Sequence, residues 1–301
     1  MLIQEKVSLA EYTSWLIGGP AEHFCLPTHL DELKSAIGWA HEHQKNLTIL
    51  GGGTNVLISD QGVRGLVCCL RRYSGYEVKE ENQKLHIIAQ AGTAKSELLK
   101  VFLKYKLAPA LFLAGLPGDV GGGVVMNAGV AESFQPREFC ELVDWVEVLR
   151  WAPSASGIAF EIKKYLKEDI QWSYRHSHGW QPGIIVRVGL SWPLEKDETI
   201  LEKVKLANRT RLSKQPLDLP SCGSVFKNPE GHKAAQLIDS CGLKGHRFGD
   251  AQVSTKHANF IVNIEQAKAQ DVWDLIQYVK KTVLEQKQVE LSTEVVRLGE
   301  W

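Results

Sequence analysis

Two glycine-rich segments contain the residues best suited to bind an anion. The first, Gly51-Gly-Gly-Thr-Asn55, directly follows the apolar run Leu47–Leu50, and the second runs from Gly115 to Gly129 with five glycines by Gly123. Glycine lets the backbone approach a bulky anion, so that amide N–H groups, here those of residues 52–54, can donate to phosphate. The alternative interpretation of the second segment is a chain of tight turns at a sheet edge.

Neither segment has the residue order of a common nucleotide-binding loop. The first lacks the G-x-G-x-x-G pattern, and we predict no helix directly after its glycines. The chain also lacks a G-x-x-x-x-G-K-[ST] loop. These absences exclude the ordinary Rossmann and P-loop interpretations of the sequence.

Composition and charge narrow the class of protein further. Lys plus Arg and Asp plus Glu both number 35, so the formal net charge of zero argues against a dedicated nucleic-acid binder. The N-terminus has no basic region followed by an apolar core, and the longest apolar run is too short to cross a bilayer. We therefore expect a soluble, cytoplasmic protein without membrane insertion.

The cysteines and histidines do not predict a metal site. The chain has six cysteines and ten histidines but no C-x-x-C pair and no zinc-ligand spacing. We expect buried free thiols rather than disulfides in a long chain without a secretory signal. The cysteines are Cys25, Cys68, Cys69, Cys140, Cys222 and Cys241.

Both helices and strands are needed to position the glycine segments. Thr13–Ala21 is predicted to be a strand that leads into a turn. Thr28 and Thr93 are predicted to cap helices, the second over Lys95–Tyr105. Ala267–Glu285 has the apolar spacing of an amphipathic helix.

Seven segments, taken in order, resemble the UDP-N-acetylenolpyruvoylglucosamine reductase (MurB) family of bacterial flavin enzymes. The resemblance covers nearly the whole chain, although each segment alone is a weak signal. The spacing from Arg175 to Ser224 and on to Glu294 leaves little room for an extra substrate-domain segment, so the chain resembles the shorter subtype. The segments are Thr13–Ala21, Gly51–Leu57, Gly115–Gly129, Tyr174–Ser177, Gly223–Pro229, Gly242–Asn263 and Glu294–Arg297.

This resemblance implies an α+β fold in three parts. It consists of a two-lobed FAD-binding region of the vanillyl-alcohol-oxidase-like superfamily and a separate α+β substrate-binding domain. We place the first lobe at residues 1–72 and 291–301, the second at 73–213, and the substrate-binding domain at 214–290.

The implied activity is the FAD-dependent, NADPH-driven reduction of UDP-N-acetylglucosamine enolpyruvate to UDP-N-acetylmuramate. This reaction belongs to peptidoglycan synthesis, and hence to cell shape and division, and we predict no nucleic-acid or obligate protein partner. One alternative is another FAD-binding oxidoreductase of the superfamily, against which Gly223–Pro229 and Gly242–Asn263 argue. The other is a non-catalytic flavin-binding protein, which would be expected to lose Arg175, Ser224 or Glu294.

The resemblance also assigns residues to roles. Ser224 gives a proton to the reacting carbon, Glu294 assists it, and Arg175 lies beside the substrate carboxylate. Tyr174, Lys227 and Asn228 are further substrate-binding candidates. The residues assigned to FAD are Gly51, Gly52, Gly53, Thr54, Asn55, Val56, Leu57, Pro117, Gly118, Asp119, Gly121, Gly122 and Asn127.

Two of these carboxylates need a physical explanation. An ionised Glu294 would repel charge that grows on the substrate, so we predict that it pairs with Arg175 or is protonated when substrate is bound.

The family usually has a small hydroxyl residue at the position of Asp119. We expect this side chain to turn away from the pyrophosphate while backbone amides bind it.

Overall fold

The computed structural model describes residues 2–130, 135–154 and 157–301. The strands are β1 Gln4–Ser8, β2 Pro20–Cys25, β3 Leu47–Leu50, β4 Val56–Ile58, β5 Val63–Cys69, β6 Tyr76–Glu81, β7 Lys84–Gln90, β8 Val143–Ser154, β9 Gly157–Leu166, β10 Gln171–Ser173, β11 His176–His178, β12 Ile184–Pro193, β13 Arg247–Phe248, β14 Ala251–Val253, β15 Ile261–Asn263 and β16 Val296–Leu298. The helices are α1 Leu30–Glu42, α2 Lys95–Lys104, α3 Pro109–Leu113, α4 Val120–Val125, α5 Ile200–Lys214, α6 Ala234–Ser240 and α7 Ala269–Lys287.

The chain forms two compact units. Unit 1 comprises Cys25–Gly52 and Val67–Arg209 together with the start of the chain. Unit 2 comprises Gln4–Phe24, Gly53–Leu66 and Thr210–Trp301. The mixture of helices and strands gives the α+β class expected, while the three-part division of the chain stays a prediction.

Unit 1 contains an antiparallel five-stranded sheet in the order β6-β7-β12-β8-β9. Burial alternates along β7, where Leu85, Ile87 and Ala89 are buried and their neighbours are not. Successive side chains of a strand point to opposite faces, so this alternation gives the sheet one core-facing side. The short helix α4 lies against β7 and β12, which places the second glycine segment on this sheet.

Unit 2 is organised around the amphipathic helix α7. Its buried stripe, Val272, Leu275, Ile276, Val279 and Val283, confirms the predicted helical face. The helix packs against β13 and β14 of the antiparallel sheet β13-β14-β15. The N-terminus of α7 is capped by Asp60, whose two carboxylate oxygens accept from the amides of residues 269 and 270 at 2.8 and 3.0 Å.

β4 and β16 pair in parallel in unit 2, with Leu57 opposite Arg297. Just before them, the side-chain amide of Asn55 donates to the carbonyl oxygen of Glu294 at 3.0 Å, and the amide of Val296 donates to the Asn55 carbonyl oxygen at 3.0 Å. The end of the first glycine segment is thereby joined to the segment of Glu294.

Three local predictions are wrong. The strand predicted over Thr13–Ala21 begins only at Pro20, because the Thr13 hydroxyl bonds the Ile17 carbonyl and closes a turn. The cap of α1 is His29, while Thr28 bonds the Glu32 carboxylate instead. The cap of α2 is Ala94, because the Thr93 hydroxyl donates to the carbonyl oxygen of residue 75.

The six cysteines are free thiols, as predicted, but Cys140 and Cys241 are only half-buried. Among the described residues, no cluster of three or more His, Cys, Asp or Glu side chains could hold a metal ion. Across the same ranges of the chain, we find no helix with the length and apolar character to span a bilayer.

Candidate functional site

In unit 1, the start of the first glycine segment meets the second glycine segment backbone to backbone. A Cβ atom placed on Gly52 would lie 3.0 Å from the Gly118 Cα atom, and one on Gly51 would lie 2.5 Å from Asp119 Oδ2. Arg71 Nη2 donates to the Gly52 carbonyl oxygen at 2.8 Å. Two loops this close need glycine at their contact, which is the backbone approach expected of a phosphate-binding cradle.

The second glycine segment is fixed to the residues that precede α2. The amide of Val120 donates to the Thr93 carbonyl oxygen at 2.9 Å, and that of Gly121 to the Ala91 carbonyl oxygen at 2.7 Å. A Cβ atom on Gly121 would approach the Ala91 Cβ atom to 3.0 Å. Part of the segment forms α4, so the alternative of tight turns throughout is wrong.

Asp119 lies underneath the two loops. Its side chain is 5 % exposed, and its Oδ1 atom caps α4 by accepting from the Gly122 amide at 2.7 Å. Oδ2 has no hydrogen-bond partner among the described residues. Burial, the largest effect, raises the pKa of the carboxyl, while the Gly122 amide, the charge of Lys95 and the nearby Gly52 amide act in the opposite direction.

Lys95 is the buried cation nearest in sequence to this carboxylate. The side chain is 4 % exposed, and burial lowers its pKa to about 8 although the charge of Asp119 favours the protonated form. Its amide donates to the Gly118 carbonyl oxygen at 2.9 Å. Sequence reasoning missed this residue, yet its spacing from Leu98 and Phe102 already placed it on the apolar face of α2.

In unit 2, Gly53 is fixed in a left-handed conformation. Its φ is +67°, and a Cβ atom there would overlap the Tyr12 carbonyl oxygen. Within the ranges that the structure describes, no protein group accepts from the amides of Gly53 or Thr54. Gly53 is buried and Thr54 is half-buried, and buried amides normally have partners, so the Gly53 amide in particular suits a ligand. Val56 and Leu57 instead belong to β4, and Leu57 is buried in the core of this unit.

Pro117 at the tip of the second segment is exposed, whereas Asn127 near its end is fully buried. The Asn127 Nδ2 atom donates to Glu138 Oε2 at 2.9 Å and to the Ser173 carbonyl oxygen at 3.1 Å, and Oδ1 accepts from the Cys140 amide at 3.1 Å. Both N–H groups are therefore used within the protein, and the predicted FAD contact of this side chain stays a prediction.

Replacing Asn127 with alanine should destabilise the protein by about 1–3 kcal/mol, the cost of leaving a buried hydrogen-bonding group without its partner. We also expect a higher KM for the substrate, because Ser173 adjoins the predicted substrate residues. Urea unfolding and steady-state kinetics measure the two effects. The control is Asn208→Ala on the exposed face of α5. Stability of Asn127→Ala within about 0.5 kcal/mol of that control would contradict the structural role of Asn127.

Tyr174 and Arg175 form the turn of the β10–β11 hairpin. Ser173 pairs with His176, so the two residues between them are at the tip. Arg175 has a φ of +58°, its guanidinium lies 4.7 Å from the Tyr174 ring centroid, and Nη2 donates to the Gly129 carbonyl oxygen at 2.9 Å. These contacts orient a permanently charged, planar group.

Ser224 and Glu294 lie in two paired segments of unit 2. Phe226 bridges Thr293, and the Glu294 amide donates to the Val225 carbonyl oxygen at 2.8 Å. Ser224 is thus one residue from the position opposite Glu294, and both are half-buried. The pairing of Glu294 with Arg175 stays a prediction.

Asn259 fixes the serine-bearing segment, and sequence reasoning missed it. Its side chain accepts from the Phe226 amide at 2.9 Å and donates to the Phe226 carbonyl oxygen at 2.8 Å. An asparagine beside the apolar run at residues 260–262 was the only signal in the sequence. Of the other substrate candidates, Lys227 is half-buried, and Asn228 is exposed with its Oδ1 accepting from the Ala234 amide at 3.0 Å.

In unit 1, the described residues fit the pyrophosphate of FAD through two glycine loops in backbone contact and the cations Arg71 and Lys95. Residues 21–152, which contain both loops, match a family model described as an FAD binding domain. The loops and this match define a flavin-dependent oxidoreductase.

Residues 215–298 match a second model, the C-terminal domain of UDP-N-acetylenolpyruvoylglucosamine reductase. The chain is 38 % identical over 301 residues to the reductase of that name from Synechococcus sp. (strain WH7803), covering 99 % of this chain and 94 % of the relative. A reductase of the same name from Lactobacillus delbrueckii subsp. bulgaricus (strain ATCC BAA-365 / Lb-18) is 39 % identical over 300 residues, with coverages of 99 % and 96 %.

The crystal structure of UDP-N-acetylenolpyruvylglucosamine reductase from Thermus caldophilus superposes with a TM-score of 0.78 at 32 % identity, covering 99 % of this chain and all of that chain. The chain therefore belongs to the UDP-N-acetylenolpyruvoylglucosamine reductase family.

Proposed function

We propose that this chain uses NADPH and bound FAD to reduce the enolpyruvyl group of UDP-N-acetylglucosamine enolpyruvate, giving UDP-N-acetylmuramate for peptidoglycan synthesis. The observation that supports this most directly is the pairing of the Ser224 and Glu294 segments, in a family whose members carry that reductase name. FAD, when bound, supplies the hydride chemistry. The glycine loops are proposed to hold its pyrophosphate through backbone amides.

Arg175 is proposed to stabilise the charge that develops during reduction. The substrate double bond is conjugated to a carboxylate, so addition of a hydride leaves negative charge on the neighbouring carbon and the carboxylate. Stabilising charge where it develops is usually the largest catalytic effect. A guanidinium can contact the carboxylate through two donors, and the Gly129 carbonyl and the Tyr174 ring already orient it.

Ser224 is proposed to protonate the carbon that carries this charge. A hydroxyl is a weak acid, but an enolate is a strong base, so a fixed hydroxyl can serve as the donor. The segment of Ser224 is held by Asn259 and by the bond from the Glu294 amide, which restricts where its hydroxyl can lie. Glu294 is proposed to assist the transfer, with Lys227 and Asn228 as weaker candidates.

We further propose cytoplasmic localisation, action without an obligate protein partner, and the three-part domain division given above. The boundary of the substrate-binding domain near residue 214 is supported by the start of unit 2's long segment at Thr210 and of the C-terminal family match at residue 215. A substrate that carries a nucleotide and a carboxylate also fits a protein without a membrane-spanning helix among its described residues.

A visible spectrum of the purified protein tests the proposal first. We expect a flavin spectrum that NADPH bleaches without oxygen and that the UDP-enolpyruvyl sugar restores, while UDP-N-acetylglucosamine, which lacks the enolpyruvyl group, does not restore it. Colourless protein that takes up no FAD would overturn the proposal. Flavin that is reduced but not reoxidised by that sugar would support another oxidoreductase of the same class.

A further inference from the structure

The carboxylate of Asp119 accepts a hydrogen bond from a backbone amide in the loops proposed to bind the anion. Asp119 Oδ1 accepts from the Gly122 amide at 2.7 Å, and Oδ2 faces Gly51 without a hydrogen-bond partner in the described part of the chain. Asp119 is only 5 % exposed, so its carboxylate is almost completely buried. A cradle that should attract phosphate thus contains a negative charge of its own, and that charge opposes binding of a second anion.

Among the described residues, three groups bear on the charge of this carboxylate: Lys95, Arg71 and Cys69. Lys95, from α2, is buried and interacts with it electrostatically. Arg71 lies beside Gly52. The Cys69 thiol, at the end of β5, has its pKa raised to about 11 by burial, so it is neutral at physiological pH. Lys95 is therefore the buried cation that can balance Asp119.

The backbone fixes Lys95 and Asp119 next to each other. Ala94, directly before Lys95, forms a β-bridge with Asp119, and the Lys95 amide donates to the Gly118 carbonyl oxygen at 2.9 Å. The ammonium group lies 5.9 Å from the centroid of the Phe139 ring. Neither charge can move into solvent without breaking this packing, so the balance between them is built into the cradle.

We propose that Lys95 and Asp119 are an internal counter-charge pair that sets the affinity of the glycine loops for FAD: Asp119 competes with the pyrophosphate for backbone amides, and Lys95 offsets its charge. The inference rests on the proposed position of the pyrophosphate at these loops. It predicts effects of opposite sign. Loss of the carboxylate charge strengthens FAD binding, and loss of the ammonium charge weakens it.

The test is the dissociation constant of FAD, measured from the fluorescence of flavin released when the holoenzyme is diluted. We expect Asp119→Asn, which keeps an acceptor for the Gly122 amide, to lower this constant about threefold or more, and Lys95→Met to raise it about tenfold. The double variant should lie within about threefold of wild type, because both charges are gone. Lys100→Met, on the exposed face of α2, is the control and should bind FAD as wild type does.

A pH series tests the pair without any substitution. The buried Lys95 loses its proton as the pH rises through about 8. The loss of this positive charge leaves the charge of Asp119 without its balance, so FAD should dissociate more readily at pH 9 than at pH 7. Lys95→Met should lose the part of this dependence that lies near pH 8.

The outcomes separate this inference from the proposed function. If both single variants weaken FAD binding equally, or if wild-type affinity does not change with pH, the pair has only a structural role and the inference is overturned. In that case the wild-type protein would still turn over the UDP-enolpyruvyl sugar, and the proposed function would be unaffected. A wild-type protein that holds no FAD would instead overturn the proposed function together with the inference.

Discussion

Replacing Ser224 with alanine should leave flavin reduction by NADPH near the wild-type rate and lower the formation of UDP-N-acetylmuramate by about 10²–10⁴-fold, the usual contribution of a positioned proton donor. The variant loses the group proposed to protonate the substrate carbon but keeps the loops proposed to hold FAD. Its fold should be unaffected, because the segment is held by backbone bonds to Glu294 and by Asn259.

Stopped-flow absorbance separates the two half-reactions of this variant. NADPH is mixed with the oxidised protein in one experiment, and the UDP-enolpyruvyl sugar with the reduced protein in the other. Ser292→Ala is the matched control, because Ser292 is an exposed serine in the segment opposite and its backbone carbonyl, which accepts from the Lys227 amide, is retained in the variant. Unchanged turnover in Ser224→Ala would remove this residue from its proposed role.

Replacing Gly53 with alanine should destabilise unit 2 and abolish FAD retention. The left-handed conformation costs a non-glycine residue about 1–2 kcal/mol. Crowding against the Tyr12 carbonyl oxygen adds about 1–3 kcal/mol, because the atoms in the way are backbone atoms of Tyr12 and Thr13 rather than a flexible side chain. Since the loop is joined to Glu294 through Asn55, the displacement should also lower turnover.

Gly231→Ala isolates the crowding from the conformational strain. Gly231 lies in the same unit and has a φ of +72°, but a Cβ atom there would meet nothing within 4 Å. It should therefore show the strain alone, about 1–2 kcal/mol, in urea unfolding. Equal losses of stability in the two variants would mean that contact with Tyr12 contributes nothing at Gly53.

Periodicity and glycine clusters predicted the elements whose burial follows from local pattern. The stripe of α7 and the alternation of β7 are of this kind, because one face of each element must be covered. The predicted caps of α1 and α2 were wrong, because a threonine hydroxyl near the start of a helix has several competing hydrogen-bond partners. Thr93 bonds the distant residue Gly75, and no spacing rule indicates that choice.

The residues of the candidate site also fall into those that the sequence indicated and those that it did not. The sequence indicated the glycine loops and the candidates Arg175, Ser224 and Glu294, because their types and order carry the resemblance. It did not indicate Lys95 or Asn259, whose importance depends on what lies beside them after folding. Our expectation that the Asp119 side chain turns away from the pyrophosphate while backbone amides bind it stays a prediction, and the structure adds that this side chain accepts from the Gly122 amide.

The parallel pairing of β4 with β16 bears on how the protein is made in the cell. Asn55 bonds Glu294, which lies 239 residues later in the chain. A nascent chain that still lacks β16 leaves β4 without this partner, and an unpaired strand can join the wrong neighbour. We therefore expect unit 2 to reach its final fold only after β16 has been synthesised.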